Sequence, residues 1–257
     1  MRTRTARPRP QVTPQAVVKA ALEILDKEGT EGVTFRAVAQ KLGVKAPALY
    51  WHFVNKRDLM DDLAQSILVG GGVDAVNRPS EPSDWRPWLA QCARTLRAAL
   101  IAHRDGGRVV AGASFGRAKA LARLTLLTSE ALREAGFGLL EAGLATGVVI
   151  DYVWGFVIEE QEGEGPPPGP QLVAWEMGER NGGVDFIGEA FGVDPPVARF
   201  ASDYIQEVKR HDDTELFEWG LQVILDGLAR VKESGREANL PAARSELRRA
   251  ATRGSPR

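Results

Sequence analysis

The chain has 257 residues, 44% of them hydrophobic and 26% charged, with a formal net charge of -1. That balance excludes a disordered chain and bulk membrane embedding, and the length suits a small domain joined to a larger one. A single cysteine, Cys92, excludes an internal disulfide framework and fits a reducing compartment, so the sequence reads as cytoplasmic, with no signal peptide and no internal repeat.

The first nine residues carry Arg2, Arg4, Arg7 and Arg9 among Thr and Pro. Such a composition does not fold alone, and 1–12 reads as a disordered basic arm. It is either a solvated tail or a segment that lies along phosphates or in a minor groove. Thr13-Pro14 then opens an amphipathic helix with Val17, Val18, Ala21, Leu22, Ile24 and Leu25 as its stripe and Gly29 as its stop. Thr34 is the N-cap of a second helix with Val38, Ala39 and Leu42 at helical spacing, and Gly43 ends it as a left-handed C-cap. Pro47 fits the first turn of a third helix of about two turns, because its missing N–H is an orphan there in any case. Leu49 and Phe53, four apart, face the core. Lys45, Ala46, Ala48, Tyr50, Trp51 and His52 are left on the outer side, a set that suits a DNA major groove.

Asn55 and Asp58 cap a fourth helix through Leu59, Leu63 and Ile67. Lys56 and Arg57 in its first turn oppose the helix dipole at a cost of roughly a few tenths of a kcal/mol, which makes sense where a phosphate docks. Lys56 is a phosphate candidate, with a solvated surface lysine as the plain reading. Residues 1–60 hold 11 Lys and Arg against 5 Asp and Glu, so this end is +6 while the remainder carries -7. The positive end is the end that reads as DNA-binding.

Downstream, helices are predicted at Trp85–His103, near Gly107–Ser114, and at Lys119–Glu134, Leu139–Glu160, Val197–Arg210 and Glu215–Lys232, so the fold class is all-α. Glu162–Pro170, EGEGPPPGP, is a loop, Gln171–Pro196 is largely irregular, and Gly235–Arg257 is a frayed basic tail. The domains are a 13–68 reader, a 69–233 helical domain and a 234–257 tail. Leu139–Ile158 is long and apolar enough to be tested as a membrane span. Glu141 and Asp151 argue against it, since a central aspartate costs roughly 2.5–3.5 kcal/mol on the insertion scale; the segment reads as a buried bundle helix, with no membrane partner. An enzyme is the rival class. His52, His103 and His211 lie far apart without metal-ligand spacing, there is no phosphate-binding glycine loop, and Cys92 lacks an identifiable base. No metal site and no cofactor are expected, and His103 reads as a helix terminator before Gly106.

The segment Thr13–Ile67, with LYWHFVNKRDLMDDLA at Leu49–Ala64, LIAHRDGGRVVAG at Leu100–Gly112, VIEEQE at Val157–Glu162 and FEWGLQVILDGL at Phe217–Leu228, resembles the tetracycline-repressor (TetR) family of bacterial transcription regulators. Within that family it resembles the tetracycline-repressor subgroup, while Gly163 to about Asp213 is poorly matched. The resemblance implies an N-terminal three-helix helix-turn-helix domain and a C-terminal helical ligand-binding and dimerisation domain. It implies operator contacts at Arg36, Ala46, Pro47, Ala48, Tyr50, Trp51 and His52, a phosphate contact at Lys56, and a homodimer on a pseudo-palindromic double-stranded operator. Arg36 suits a guanine O6/N7 pair and Ala48 a thymine methyl, whereas Tyr50 and His52 suit phosphates. Ala46 and Ala48 stand where the subgroup has polar residues, and Lys45 stands for an acidic one, so a different operator is expected.

The same resemblance implies a mostly apolar effector cavity, with Trp85, Trp88, Cys92, Leu96, Val110, Ala113, Phe115, Trp154 and Glu159 as candidates. Each also reads as core. The subgroup holds a magnesium–tetracycline complex through a histidine and an asparagine, and the matching positions here are Val110 and Cys92. An apolar or aromatic effector is expected instead. The predicted function is a sequence-specific regulator, released from DNA by that effector. A DNA binder that senses nothing is the alternative, and an enzyme using the helical pocket is the weaker one.

Overall fold

The computed structural model describes residues 12–163, 188–189, 192–208 and 210–234. The basic arm before Val12, most of the 162–196 stretch and the tail from 235 lie outside the described residues. Among the described residues nine α-helices follow in order: α1 Pro14–Gly32, α2 Phe35–Leu42, α3 Lys56–Gly70, α4 Trp85–Ile101, α5 Gly106–Ala111, α6 Lys119–Glu134, α7 Leu139–Gly163, α8 Pro195–Val208 and α9 Asp213–Ser234. No strand occurs among the described residues, so the fold is all-α as expected. The helices gather into two compact units. One takes the chain through Val76, Arg94–Leu124 and α7 from Trp154, and the other takes Asn77–Ala93, Thr125–Val153 and, among the described residues beyond α7, α8 and α9.

In the first unit, α1 packs on α2 and α3, and α3 packs on α5. Val17, Leu25, Val38, Leu49, Phe53, Leu63 and Ile67 are fully buried. These are the helical-period apolar positions of four short segments, and each segment is too short to be stable without that shared core. The end of α1 is tied to the α4–α5 loop. Gly29 bends α1 with φ 72°, and the Asp105 carboxylate accepts from the Thr30 amide at 2.7 Å and the Thr30 hydroxyl at 3.1 Å. A Cβ on Gly29 would sit 2.7 Å from that same carboxylate oxygen, so both its φ and the close approach require glycine. The neighbouring loop residues add His103 Nδ1 against Asp26 Oδ1 at 2.9 Å and Arg104 donating to the Lys27 carbonyl at 3.1 Å. His103 therefore lies just beyond the end of α4, facing α1.

The end of α7 closes onto the same loop. Gln161 donates to the carbonyls of Leu100 and His103 at 3.2 and 2.7 Å and accepts from the Gly107 amide at 3.1 Å. Arg97 and Glu160 form a two-pronged pair at 3.1 and 2.6 Å, both largely buried, with the guanidinium 5.8 Å from the Phe156 ring centre. Arg–carboxylate pairs of this geometry are directional as well as strong.

The second unit packs the first turns of α4 with the later part of α6, the first part of α7, and α9. Leu89, Leu132, Ala142, Val149, Val153, Phe217, Leu221 and Leu225 form its buried apolar set. Trp85 meets Phe137 edge-on at 5.1 Å, and Tyr152 stacks on Phe217 at 5.4 Å while donating its hydroxyl to the Phe217 carbonyl at 2.9 Å. Helix α7 is long and apolar enough to cross a membrane by length and composition. The structure uses it as a core helix in which Ala142, Ala145, Val149, Val153 and Val157 are buried while Leu144, Val148 and Asp151 stay exposed.

On α3, Asp61 is 4% exposed and accepts from the Ser114 amide at 3.1 Å, the Ser114 hydroxyl, and Arg57 Nε at 3.2 Å. Burial by itself raises this carboxyl, but the Ser114 hydroxyl and amide and the Arg57 charge outweigh it and hold the group below its usual value. A depressed folded-state value means stability that is present above the unfolded value, about 3.9, and lost as pH falls through the folded one. Asp61→Ala should therefore destabilise the fold at neutral pH by about 0.5–1.5 kcal/mol, the net worth of a hydrogen bond, since the exposed Ser114 can turn its donors to water. In urea melts of variant and parent, that gap should narrow as the pH is lowered below about 4; a pH-independent gap would remove Asp61 from the acid response.

Candidate nucleic-acid interface

The sequence from Thr34 to Asp58 builds a surface by leaving part of itself unburied. Thr34 caps α2, its hydroxyl accepting from the Ala37 amide at 3.1 Å. Gly43 ends α2 with φ 67°, and its amide and that of Val44 turn back onto Gln40 and Ala39. This is the expected left-handed cap.

The third helix differs from expectation. Only Ala46–Ala48 is helical, as a 3₁₀ turn, followed by turns through His52. The bonds Ala48 to Lys45, Leu49 to Ala46 and His52 to Leu49 all span three residues, with Phe53 to Leu49 spanning four. Lys45 is extended and Pro47 brings no N–H, so the segment starts without an α-type bond and keeps the tighter pitch. Its polarity is nevertheless the one read from the sequence. Leu49 and Phe53 are fully buried, while Tyr50 is 55% and Trp51 88% exposed.

The other candidate contacts distribute around that face. Arg36, Lys45 and Pro47 are exposed, and Ala46 and Ala48 are half-buried. Tyr50 leans on Phe35 with ring centres 4.7 Å apart, which anchors it to the start of α2. His52 is half-buried with Nε2 3.0 Å from the Val12 carbonyl, so it also pins the chain entering α1. Asn55 accepts from the Asp58 amide at 2.9 Å and Asp58 from the Val54 amide at 3.0 Å, the expected reciprocal cap of α3. Lys56 is exposed, and its ammonium donates to the Thr30 carbonyl at 3.1 Å. Arg36 and Lys45 have no ion pair among the described residues, whereas Lys41 is bound to Glu23 at 2.8 Å and Arg57 to Asp61. The cations left for an outside anion lie beside the exposed aromatics.

The effector candidates fall in both units. In the second, Trp85 is buried, Trp88 donates its indole N–H to the Asn77 carbonyl at 2.7 Å, and Cys92 is buried. In the first, Leu96 and Val110 are core, Ala113 is half-buried, and Phe115 and Glu159 are exposed. Trp154 is the exception in kind: its indole Nε1 is buried and has no hydrogen-bond partner among the described residues. The carboxylate buried at that end of α7 is Glu160, bound to Arg97, rather than Glu159. Glu160, Gln161, Asp61 and Asp105 were not legible as structural residues in the sequence. Two of them sit in the VIEEQE run, which signalled that something was there. No group of three or more His, Cys, Asp or Glu poised for a metal occurs among the described residues.

Two family models match the chain. The model described as "Bacterial regulatory proteins, tetR family" covers residues 17–63, and "Tetracyclin repressor-like, C-terminal domain" covers residues 78–232. The chain is 38% identical over 223 residues to the tetracycline repressor protein class A from transposon 1721 of Escherichia coli, spanning 86% of this chain and 92% of that one. Among solved structures, a possible TetR family transcriptional regulator from Streptomyces coelicolor A3(2) is 33% identical with a TM-score of 0.71, over 85% of this chain and 100% of that one. BioQ with its natural double-stranded DNA operator is 27% identical with a TM-score of 0.57, over 86% and 99% of the two chains.

Burial pushes the Cys92 thiol up to about 12, so almost no thiolate forms near neutrality. The native protein should be silent to a thiol reagent such as dithionitrobenzoate in mildly alkaline buffer, and one equivalent should react after denaturation. Prompt labelling of the native chain would contradict the buried placement.

Proposed function

The chain belongs to the tetR family of bacterial regulatory proteins, and from that premise we propose that it is a cytoplasmic repressor that binds a palindromic DNA operator as a two-fold dimer and is released by a small-molecule effector. The observation that carries the DNA reading is the exposed aromatic and cationic face after Gly43: Tyr50 and Trp51 stand out of a core that buries Leu49 and Phe53, next to Arg36 and Lys45. Arg36 takes base-edge readout, Ala46, Pro47 and Ala48 present small apolar contacts, and Lys45, Tyr50, His52 and Lys56 serve phosphates. A solved structure of BioQ with its operator gives the same role to a relative.

The dimer reading rests on the second unit. Leu140, Leu144 and Val148 recur along one side of α7, and Trp219 and Val223 along α9; all are large, apolar and exposed. Exposed apolar stripes of this size on two helices of one unit suit a self-complementary four-helix contact. The effector reading rests on the buried, unpartnered indole N–H of Trp154. A buried donor left unpaired costs about 1–3 kcal/mol, so an apolar or aromatic effector carrying one acceptor oxygen satisfies a group the protein leaves open. No release of DNA by any effector would favour the constitutive DNA binder instead.

Selection of duplexes from a random pool at physiological salt should return a palindrome with half-sites about one helical turn apart. On that site Arg36→Ala should cost roughly 1–3 kcal/mol and relax one position, while Tyr50→Ala or Lys56→Ala should weaken all sequences together and leave the dimer intact. Recovery of no motif would end the sequence-specific reading. Independently, Leu144→Arg should give monomers in sedimentation, with lost affinity for the full palindrome; a persistent dimer would move the interface elsewhere.

A further inference from the structure

A groove of about 950 Å³ runs between α1, α3 and the start of α6 within the first unit. Val18 and Leu22 of α1 and Val69 of α3 give it an apolar floor, with Val69 43% exposed. Lys19, Arg117 and Lys119 also line it. Asp62 is the carboxylate in the lining, and it is already bound to Arg117 at 2.9 Å. Lys19 and Lys119 make no ion pair among the described residues. Glu23, one turn along from Lys19, is paired with Lys41, whose hydrogen bond and charge keep the Glu23 carboxyl below its usual value, with a smaller part from the Lys19 charge. The groove thus combines apolar side chains with two cations that form no close ion pair among the described residues.

We propose that this groove is a small-molecule site for an amphiphilic anion, a molecule with an apolar body and one carboxylate or sulfonate. The volume lies at the upper end of the roughly 300–1,000 Å³ range of small-molecule pockets. The floor offers apolar burial to the body, and Lys19 and Lys119 offer the head charge-assisted hydrogen bonds from two sides. Charge selects the occupant: a neutral hydrocarbon leaves both ammonium groups without an anion. The site uses none of the residues assigned to DNA or to the effector above. Its occupant bridges the first reader helix to the start of α6.

The test uses 8-anilinonaphthalene-1-sulfonate with the full-length protein, followed by fluorescence and calorimetric titration. The parent should bind one dye equivalent per chain in this groove. That equivalent should weaken at least tenfold in Lys19→Glu/Lys119→Glu and in Val69→Trp, which fills the floor from its exposed side. The neutral analogue N-phenyl-1-naphthylamine should bind at least tenfold more weakly than the dye and ignore the charge reversal. Thermal melts and operator binding of the variants, expected to match the parent, separate this result from a folding defect or from failure of the DNA reading. Unchanged dye affinity and stoichiometry in both variants would overturn the proposal, as would equal binding of the neutral analogue.

Discussion

The reading face depends on a joint that it does not contain, the Asp105 carboxylate seated on Thr30. Asp105 has φ 55°, unusual for a residue with a side chain, and Gly29 opposite it has φ 72°. A left-handed conformation costs a non-glycine residue about 1–2 kcal/mol, so Asp105 is held there by what its carboxylate receives, two hydrogen bonds from Thr30. The joint fixes where α1 ends, and α1 is the helix against which α2 and α3 pack.

A second carboxylate does the corresponding work on α3. Asp61 gathers Ser114 and Arg57, while Asp62 and Gln65 on the same helix reach Arg117 and the Ala120 amide. The reader helices are therefore held to the chain between Asp105 and Ala120 by polar contacts at two separate places, with apolar core between. Polar joints tolerate sideways movement less well than apolar packing, because each bond is directional and its loss strands a buried group. Such an arrangement suits a head that must move as one piece rather than deform.

What was legible in the sequence was local. Thr13, Thr34, Gly43 and the Asn55–Asp58 pair act within four residues of themselves, and the structure uses each as a cap. The buried and exposed sides of Leu49 to Phe53 followed from spacing alone. The 3₁₀ pitch of that segment did not, since Pro47 fits the first turn of either helix type and only the hydrogen-bond spacing distinguishes them. The joints were illegible for a different reason. Thr30 and Asp105 are 75 positions apart, Asp61 and Ser114 are 53 apart, and Arg97 and Glu160 are 63 apart, so no periodicity connects them. Glu159 and Glu160 illustrate the limit: adjacent carboxylates on a helix point about 100° apart, and composition does not say which one meets the arginine.

Thr30 shows how closely the two roles of the first unit are placed. Its amide and hydroxyl face Asp105, and its carbonyl accepts from Lys56 at the start of α3. Lys56 in turn is exposed, in the first turn of a helix whose dipole favours an anion. A run of bonds is not coupling by itself; coupling needs an element with two arrangements that both ends bias. The arrangement here meets the geometric half of that requirement. One residue, next to the glycine that bends α1, carries both the contact to the α4–α5 loop and the contact to Lys56. An anion that draws Lys56 away leaves the Thr30 carbonyl without that donor.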